Sequence, residues 1–139
     1  MFDFTTQIRV RYADTDQMGF VYYGNYARYF EIGRVEALRS LHIAYKDLED
    51  NGILMPVLEN YSKYLKPALY DDLLQIRVMI KEEPGARIRF DYEIRNETGI
   101  LLHVGYTVLV FISAETKKII AFPESIKKAL GRFFEKSPE

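Results

Sequence analysis

Apolar and polar residues alternate from Thr6 to Tyr12, with Ile8, Val10 and Tyr12 set against Arg9 and Arg11. A period of two predicts a strand with one buried face. The period breaks over Ala13–Gly24, which holds two aspartates and two glycines and is expected to be a loop. From Asn25 to Leu41 the spacing changes to three and four: Tyr26, Phe30, Gly33, Ala37 and Leu41 form one stripe, widened by Tyr29 and Leu38. That is an amphipathic helix, with Arg28, Glu31, Arg34 and Arg39 expected outside the stripe and Asn25 as its N-cap. Gly33 costs roughly 1 kcal/mol against alanine in a helix interior. Its place on the stripe predicts a close approach of the helix axis to whatever packs there.

A short helix is predicted over Tyr45–Asn51, ending at Gly52, and four strand candidates follow it. Val57–Leu65 is irregular. Leu73–Lys81 sets Leu74, Ile76, Val78 and Ile80 against Gln75, Arg77 and Lys81. Arg87–Arg95 is the cleanest, with Ile88, Phe90, Tyr92 and Ile94 opposite Arg87, Arg89, Asp91, Glu93 and Arg95. Ile100–Ile112 is apolar on both faces over much of its length and is expected to lie inside the sheet. Short turns at Asp71-Asp72, Glu83-Pro84-Gly85 and Asn96–Gly99 favour antiparallel neighbours. Ile119–Phe122 leads to a last helix opened by Pro123, and the tail Lys136–Glu139 is expected to fray. The order predicts an α+β protein, a long helix followed by an antiparallel meander that curves around it. The two-faced Ile100–Ile112 strand suggests that a partner subunit covers the far side of the sheet.

Composition narrows the chemistry. The chain has 139 residues, enough for one domain that buries about 70% of its unfolded surface. Nineteen basic residues against twenty acidic ones argue against a nucleic-acid partner. No run of about eighteen apolar residues is present to span a membrane, and Met1–Thr5 lacks a signal-peptide pattern. Cysteine is absent, which removes thiol nucleophiles and cysteine-ligated metals and predicts a cytoplasmic protein. His42 and His103 are too few and too far apart for a histidine-rich metal site. None of Ser40, Ser62, Ser113, Ser125 and Ser137 lies in a G-x-S-x-G elbow, and no phosphate-cradling glycine loop occurs. Carboxylates and backbone dipoles remain.

The loop Tyr12–Tyr26 puts a carboxylate just before the long helix. The first N–H groups of a helix lack internal partners and sit at positive potential. They can hold an acyl carbonyl oxygen while an aspartate attacks the carbon or deprotonates a water. A thioester suits so sparse a site, because its carbonyl has little resonance stabilisation and a thiolate leaves without a strong acid. Against this stands the plainer role for Asp16, capping the helix or turning its own loop. Asp14 is expected to brace the loop through backbone N–H groups, and Gly19 to supply a positive φ. Tyr22 and Tyr23 read as packing residues, and Glu31 as an ion-pair partner of Arg28 or Arg34. His103 reads as a core or interface histidine, His42 as a partner of the helix C-terminus, and the Arg87–Arg95 charges as a solvated strand face.

Asp14-Thr15-Asp16-Gln17-Met18-Gly19-Phe20-Val21-Tyr22-Tyr23-Gly24-Asn25-Tyr26 resembles the signature D-x-D-x-x-G-x-V-[YW]-[HY]-x-x-Y of the hotdog-fold 4-hydroxybenzoyl-CoA thioesterase family. Tyr64–Leu74 is similar to that family's segment entering its third strand, and the likeness covers nearly the whole chain. The resemblance implies a hotdog fold, a five-stranded antiparallel sheet wrapped around a long central helix. It implies homodimers or homotetramers with active sites at the subunit interface. The activity implied is acyl-CoA hydrolysis with no cofactor beyond the coenzyme A of the substrate, acyl carrier protein being an alternative carrier. By the same resemblance Asp16 is the nucleophile or general base, the Tyr23 backbone N–H is the oxyanion donor, and Gly19, Val21, Tyr22 and Gly24 surround the substrate. Tol-Pal-associated members carry histidine where this chain has Tyr23, a difference that touches substrate choice more than chemistry. Pro84-Gly85-Ala86 stands where the hydroxybenzoyl enzyme is basic, which leaves Lys63, Lys66, Arg87 and Arg89 to hold the CoA phosphates. A hotdog dehydratase or hydratase is disfavoured by a loop without histidine, and a non-catalytic acyl-thioester binding module remains the other alternative.

Overall fold

The computed structural model describes residues 1–135; the tail Lys136–Glu139 lies outside the described residues. Phe2–Arg9 forms β1, and its even-numbered residues turn inward as the alternation predicts. The strand is shifted toward the N-terminus of the predicted range because its partner, Leu73–Ile80 (β4), runs from opposite Arg9 to opposite Phe2. Beyond that partner the chain bends into a single 3-10 turn, Tyr12–Asp14, and Tyr12 is exposed.

The long helix α1 spans Asn25–Ser40 and buries Tyr26, Tyr29, Phe30, Gly33, Ala37 and Leu38. Each large apolar side chain so buried contributes roughly 1.5–3 kcal/mol. Gly33 lies where a Cβ would come within 2.9 Å of the Cγ2 atoms of both Ile76 and Val78, so the expected close approach is real. Two details differ from the sequence pattern. Gly24, not Asn25, is the N-cap; Asn25 is already helical and its Nδ2 donates to the Asp14 carbonyl at 2.8 Å. Arg34, expected outside the stripe, is buried, because α1 passes the start of the short helix α2 (Tyr45–Asp50) and Nε of Arg34 donates to Tyr45 Oη at 3.1 Å. The helix ends in a Schellman motif: Ile43 N–H bonds to the Leu38 carbonyl and His42 N–H to that of Arg39. His42 occupies the left-handed position there, φ 63°, and so terminates the helix through its backbone.

Val57–Tyr64 (β3), β4, Arg87–Arg95 (β5) and Leu101–Val110 (β6) complete a five-stranded antiparallel sheet of order β1-β4-β5-β6-β3. The meander holds only for β4-β5-β6. The Asp71-Asp72 turn does not pair β3 with β4; β3 docks on β6 at the opposite edge, with a register shift between Val57 and Glu59 that accounts for its irregular pattern. Three strand spacings of about 4.8 Å separate β3 from β4. The connection Leu65–Asp72 must therefore cross the end of the sheet. A second small sheet, Ile53–Leu54 (β2) with Ile112–Ser113 (β7), was not evident in the sequence because two-residue strands carry no period. Glu124–Gly131 (α3) follows Pro123 as expected.

Leu74, Ile76, Val78, Ile88, Phe90, Tyr92 and Ile94 face α1 and close the core. The far face is charged: Arg77 pairs with Asp3 and Glu93, and Arg95 with Glu93. On β6 the apolar far face is partly roofed within the chain, since Tyr106 lies under the Arg89 guanidinium at 3.9 Å and beside Tyr61. Among the described residues no helix is long and apolar enough to cross a membrane.

Candidate active site

The loop before α1 is held by its first aspartate. Asp14 is buried and accepts from the Arg11 backbone N–H at 3.0 Å and from Tyr29 Oη at 2.9 Å, and it pairs with Arg28. Burial alone would raise its pKa, but the Arg11 amide, the Tyr29 hydroxyl and the Arg28 guanidinium outweigh it and hold the carboxyl below its ordinary value. The Asp14 carbonyl also accepts from Tyr22 N–H and Asn25 Nδ2, so one residue fixes both ends of the loop.

Asp16 is only half-buried and is placed differently. Its Oδ1 accepts from the N–H groups of Met18 at 2.9 Å and Phe20 at 3.3 Å, closing a tight turn through Gly19 with φ 79°. The loop-turning role is therefore real. It uses one oxygen; among the described residues Oδ2 has no hydrogen-bond donor.

The chain then returns to the helix. Asn25 N–H bonds to the Tyr22 carbonyl, while the Tyr23 carbonyl accepts from Tyr26 N–H at 3.4 Å and from Tyr64 Oη at 3.2 Å. With its carbonyl so engaged, the Tyr23 peptide is oriented. Its N–H has no acceptor among the described residues.

Asp16 and Tyr23 line one cleft of about 310 Å³, whose walls include Phe20, Tyr26, Tyr64 and Lys66. Val21 also lines it, though 5% exposed. Tyr22 does not; it is exposed and packs against Tyr23 with ring centroids 4.6 Å apart. Gly19 shapes the turn, and Gly24 borders an adjoining hollow shared with Tyr23, Ala27, Asn60, Ser62 and Tyr64. Of the basic residues, Lys66 reaches the cleft. Lys63 is exposed on β3, and Arg87 and Arg89 point from β5 to the charged far face, where Arg89 pairs with Asp91 at 3.1 Å. The structure does not bring these three to Asp16 within one chain.

Pattern reading missed the part played by Tyr26, Tyr64 and His103. Tyr26 reads as a core residue by its spacing, yet its ring is also a cleft wall and its hydroxyl accepts from Ala68 N–H at 3.5 Å. Tyr64 ends the far edge strand, and the pairing of β3 with β6 sets it opposite His103, beside Tyr26 of α1. Behind both lies His103, fully buried, stacked on Tyr26 at 4.0 Å and edge-on to Tyr64 at 4.7 Å. Neither of its ring nitrogens has a partner among the described residues, and burial pulls its pKa down to about 4.

A long helix cradled by a five-stranded antiparallel sheet defines the hotdog fold. Residues 10–130 match the family model described as thioesterase-like superfamily. The chain belongs to that family, and with it to the thioester hydrolases. The acyl-CoA thioester hydrolase YbgC of Escherichia coli O6:H1 is 32% identical over 123 residues, covering 88% of this chain and 92% of that one. Among solved structures, a DHNA-CoA thioesterase from Staphylococcus aureus superimposes with a TM-score of 0.87 at 34% identity, covering 99% of this chain and 98% of the other. Slr0204, a 1,4-dihydroxy-2-naphthoyl-CoA thioesterase from Synechocystis, matches with a TM-score of 0.87 at 25% identity over 96% of this chain and 99% of its own.

Proposed function

We propose that the protein hydrolyses acyl-CoA thioesters to the free acid and CoA, with Asp16 as the acid group that drives the reaction. The observation that carries this reading is the shared cleft: Asp16, whose Oδ2 is unengaged, and Tyr23, whose N–H is unsatisfied among the described residues, line the same space. The carbonyl oxygen accepts from Tyr23 N–H, which strengthens as the oxygen becomes an anion. Asp16 either takes a proton from water, whose hydroxide adds to the carbonyl carbon, or adds directly to form a mixed anhydride that water then opens. In both routes the C–S bond breaks and the thiolate leaves. The turn that fixes Oδ1 holds the other oxygen in place and limits the reorganisation needed to react. Lys66 at the cleft is the first candidate for the CoA phosphates. Arg87 and Arg89 would reach a substrate only from a second protomer.

The same proposal includes a homo-oligomer. β3 is an edge strand carrying Val57, Leu58 and Tyr61, all exposed, and an uncovered apolar edge invites another strand. The capture of Asp16 Oδ1 by its own loop favours one rival reading, a binding module without turnover. A thiol-reactive dye separates them. Purified protein with acyl-CoA releases free thiol at a saturable rate if it is an enzyme, and binds without release if it is not. Asp16→Asn is expected to lower kcat by about two to four orders of magnitude, the usual worth of a positioned acid–base group. Turnover near the wild-type rate would remove Asp16 from the chemistry.

A further inference from the structure

Arg34 is 6% exposed, yet no carboxylate pairs with it among the described residues. Its near neighbours are neutral phenols, Tyr45 and Tyr92. A buried cation without a counter-charge is costly unless something anionic completes it. Arg34 also lines a hollow of about 460 Å³ between α1 and β3, walled by Ala27, Val57, Asn60 and Thr107. That hollow shares Ala27 and Asn60 with the smaller one beside Gly24, which in turn shares Tyr23 and Tyr64 with the Asp16 cleft. The three hollows thus adjoin along α1 through shared lining residues, with Asp16 and Tyr23 at one end and Arg34 at the other.

The oxyanion donor Tyr23 lies eleven residues before Arg34, about 16 Å along the helix axis, and helical side chains lean back toward the N-terminus, so the guanidinium lies about 12 Å from Tyr23 N–H, the span of an acyl chain of about 10 Å and a hydrogen bond. Two other charges border the groove. Arg28 is neutralised by Asp14. Glu31 is exposed, and its field is weakened by water. Of the three charges that line the hollow, Arg34 is the one that is both buried and without an ion-pair partner among the described residues.

We propose that Arg34 is a specificity-determining residue which pairs with a carboxylate at the distal end of the acyl group, so that the preferred substrates are ω-carboxyacyl thioesters of about 10 Å rather than methyl-terminated chains. The inference rests on the thioesterase reading. Its test compares suberyl-CoA with octanoyl-CoA, matched in chain length. Wild type is expected to favour suberyl-CoA at least tenfold in kcat/KM, the scale of one charge-assisted hydrogen bond. In Arg34→Met that ratio falls to one or below, and Arg34→Lys retains part of it.

A wild-type ratio of one or less overturns the proposal without needing any variant to fold. That is also the result expected if a second copy of the chain fills the groove. A preference that survives Arg34→Met overturns it equally. Titration calorimetry with the two CoA esters reads the same preference as a ratio of dissociation constants. Tighter binding of suberyl-CoA with no hydrolysis of either ester would uphold the Arg34 assignment while removing the thioesterase reading.

Discussion

Two aspartates two positions apart do opposite work here. Asp14 is enclosed by donors and holds the loop, whereas Asp16 keeps one oxygen free at a cleft. The sequence reading already assigned the bracing role to Asp14, and the hydrogen bonds show it enclosed while one oxygen of Asp16 stays unengaged. His103 shows the complementary limit. It was legible as a buried histidine from its apolar strand; that both its nitrogens lie unpartnered against Tyr26 depends on a strand pairing no local pattern encodes. This has a measurable consequence. The folded chain binds the His103 proton only near pH 4, whereas the unfolded chain binds it near 6.5. Between those values the unfolded state holds more protons, so stability rises with pH across that window and is lost as pH falls. At about 1.4 kcal/mol per pKa unit the full effect is about 3–4 kcal/mol. Urea titrations from pH 4 to 7 should show that slope in wild type and a much flatter one in His103→Phe.

The helix α1 was the most legible element, since three- and four-residue spacing over sixteen residues leaves little choice of face. Its exception, Arg34, went unread because the groups beside it, Tyr45 of α2 and Tyr92 of β5, lie outside the helix whose period was being read. Gly33 was legible for a physical reason: a glycine on a buried stripe lacks propensity and must be justified by packing. Gly33→Ala therefore tests helix propensity against space. The substitution gains about 1 kcal/mol of propensity. It also places a methyl within 2.9 Å of Ile76 and Val78. Overpacking of that kind costs about 1–3 kcal/mol, so a net loss of stability with a lower Tm is expected. A higher Tm would mean that the sheet yields easily at this point.

For the molecule as a whole, each strand of the main sheet was recognisable and the order of strands was not. Alternation reports which face of a strand is buried; it says nothing about which neighbour it meets. The short Asp71-Asp72 turn suggested a β3–β4 hairpin, and the chain instead carries β3 to the opposite edge. The chemistry was inferred from one contiguous motif, while the cleft is also lined by Tyr64 at the end of β3 and Lys66 on the crossover that follows it.

That excursion also shapes how the chain acquires its structure. β4, β5 and β6 are joined by tight local reversals, whereas β1 must find β4 some seventy residues away and β3 must find β6 across the intervening hairpins. Distant closures pay their loop entropy before any contact rewards them. The central three strands are thus the expected nucleus, with the two flanks added late. Native-state hydrogen exchange should find the amides of β5 protected to the global limit and those of β1 and β3 opening sooner. Since β3 carries Tyr64, fluctuations at that flank would loosen the wall of the Asp16 cleft well before the protein unfolds.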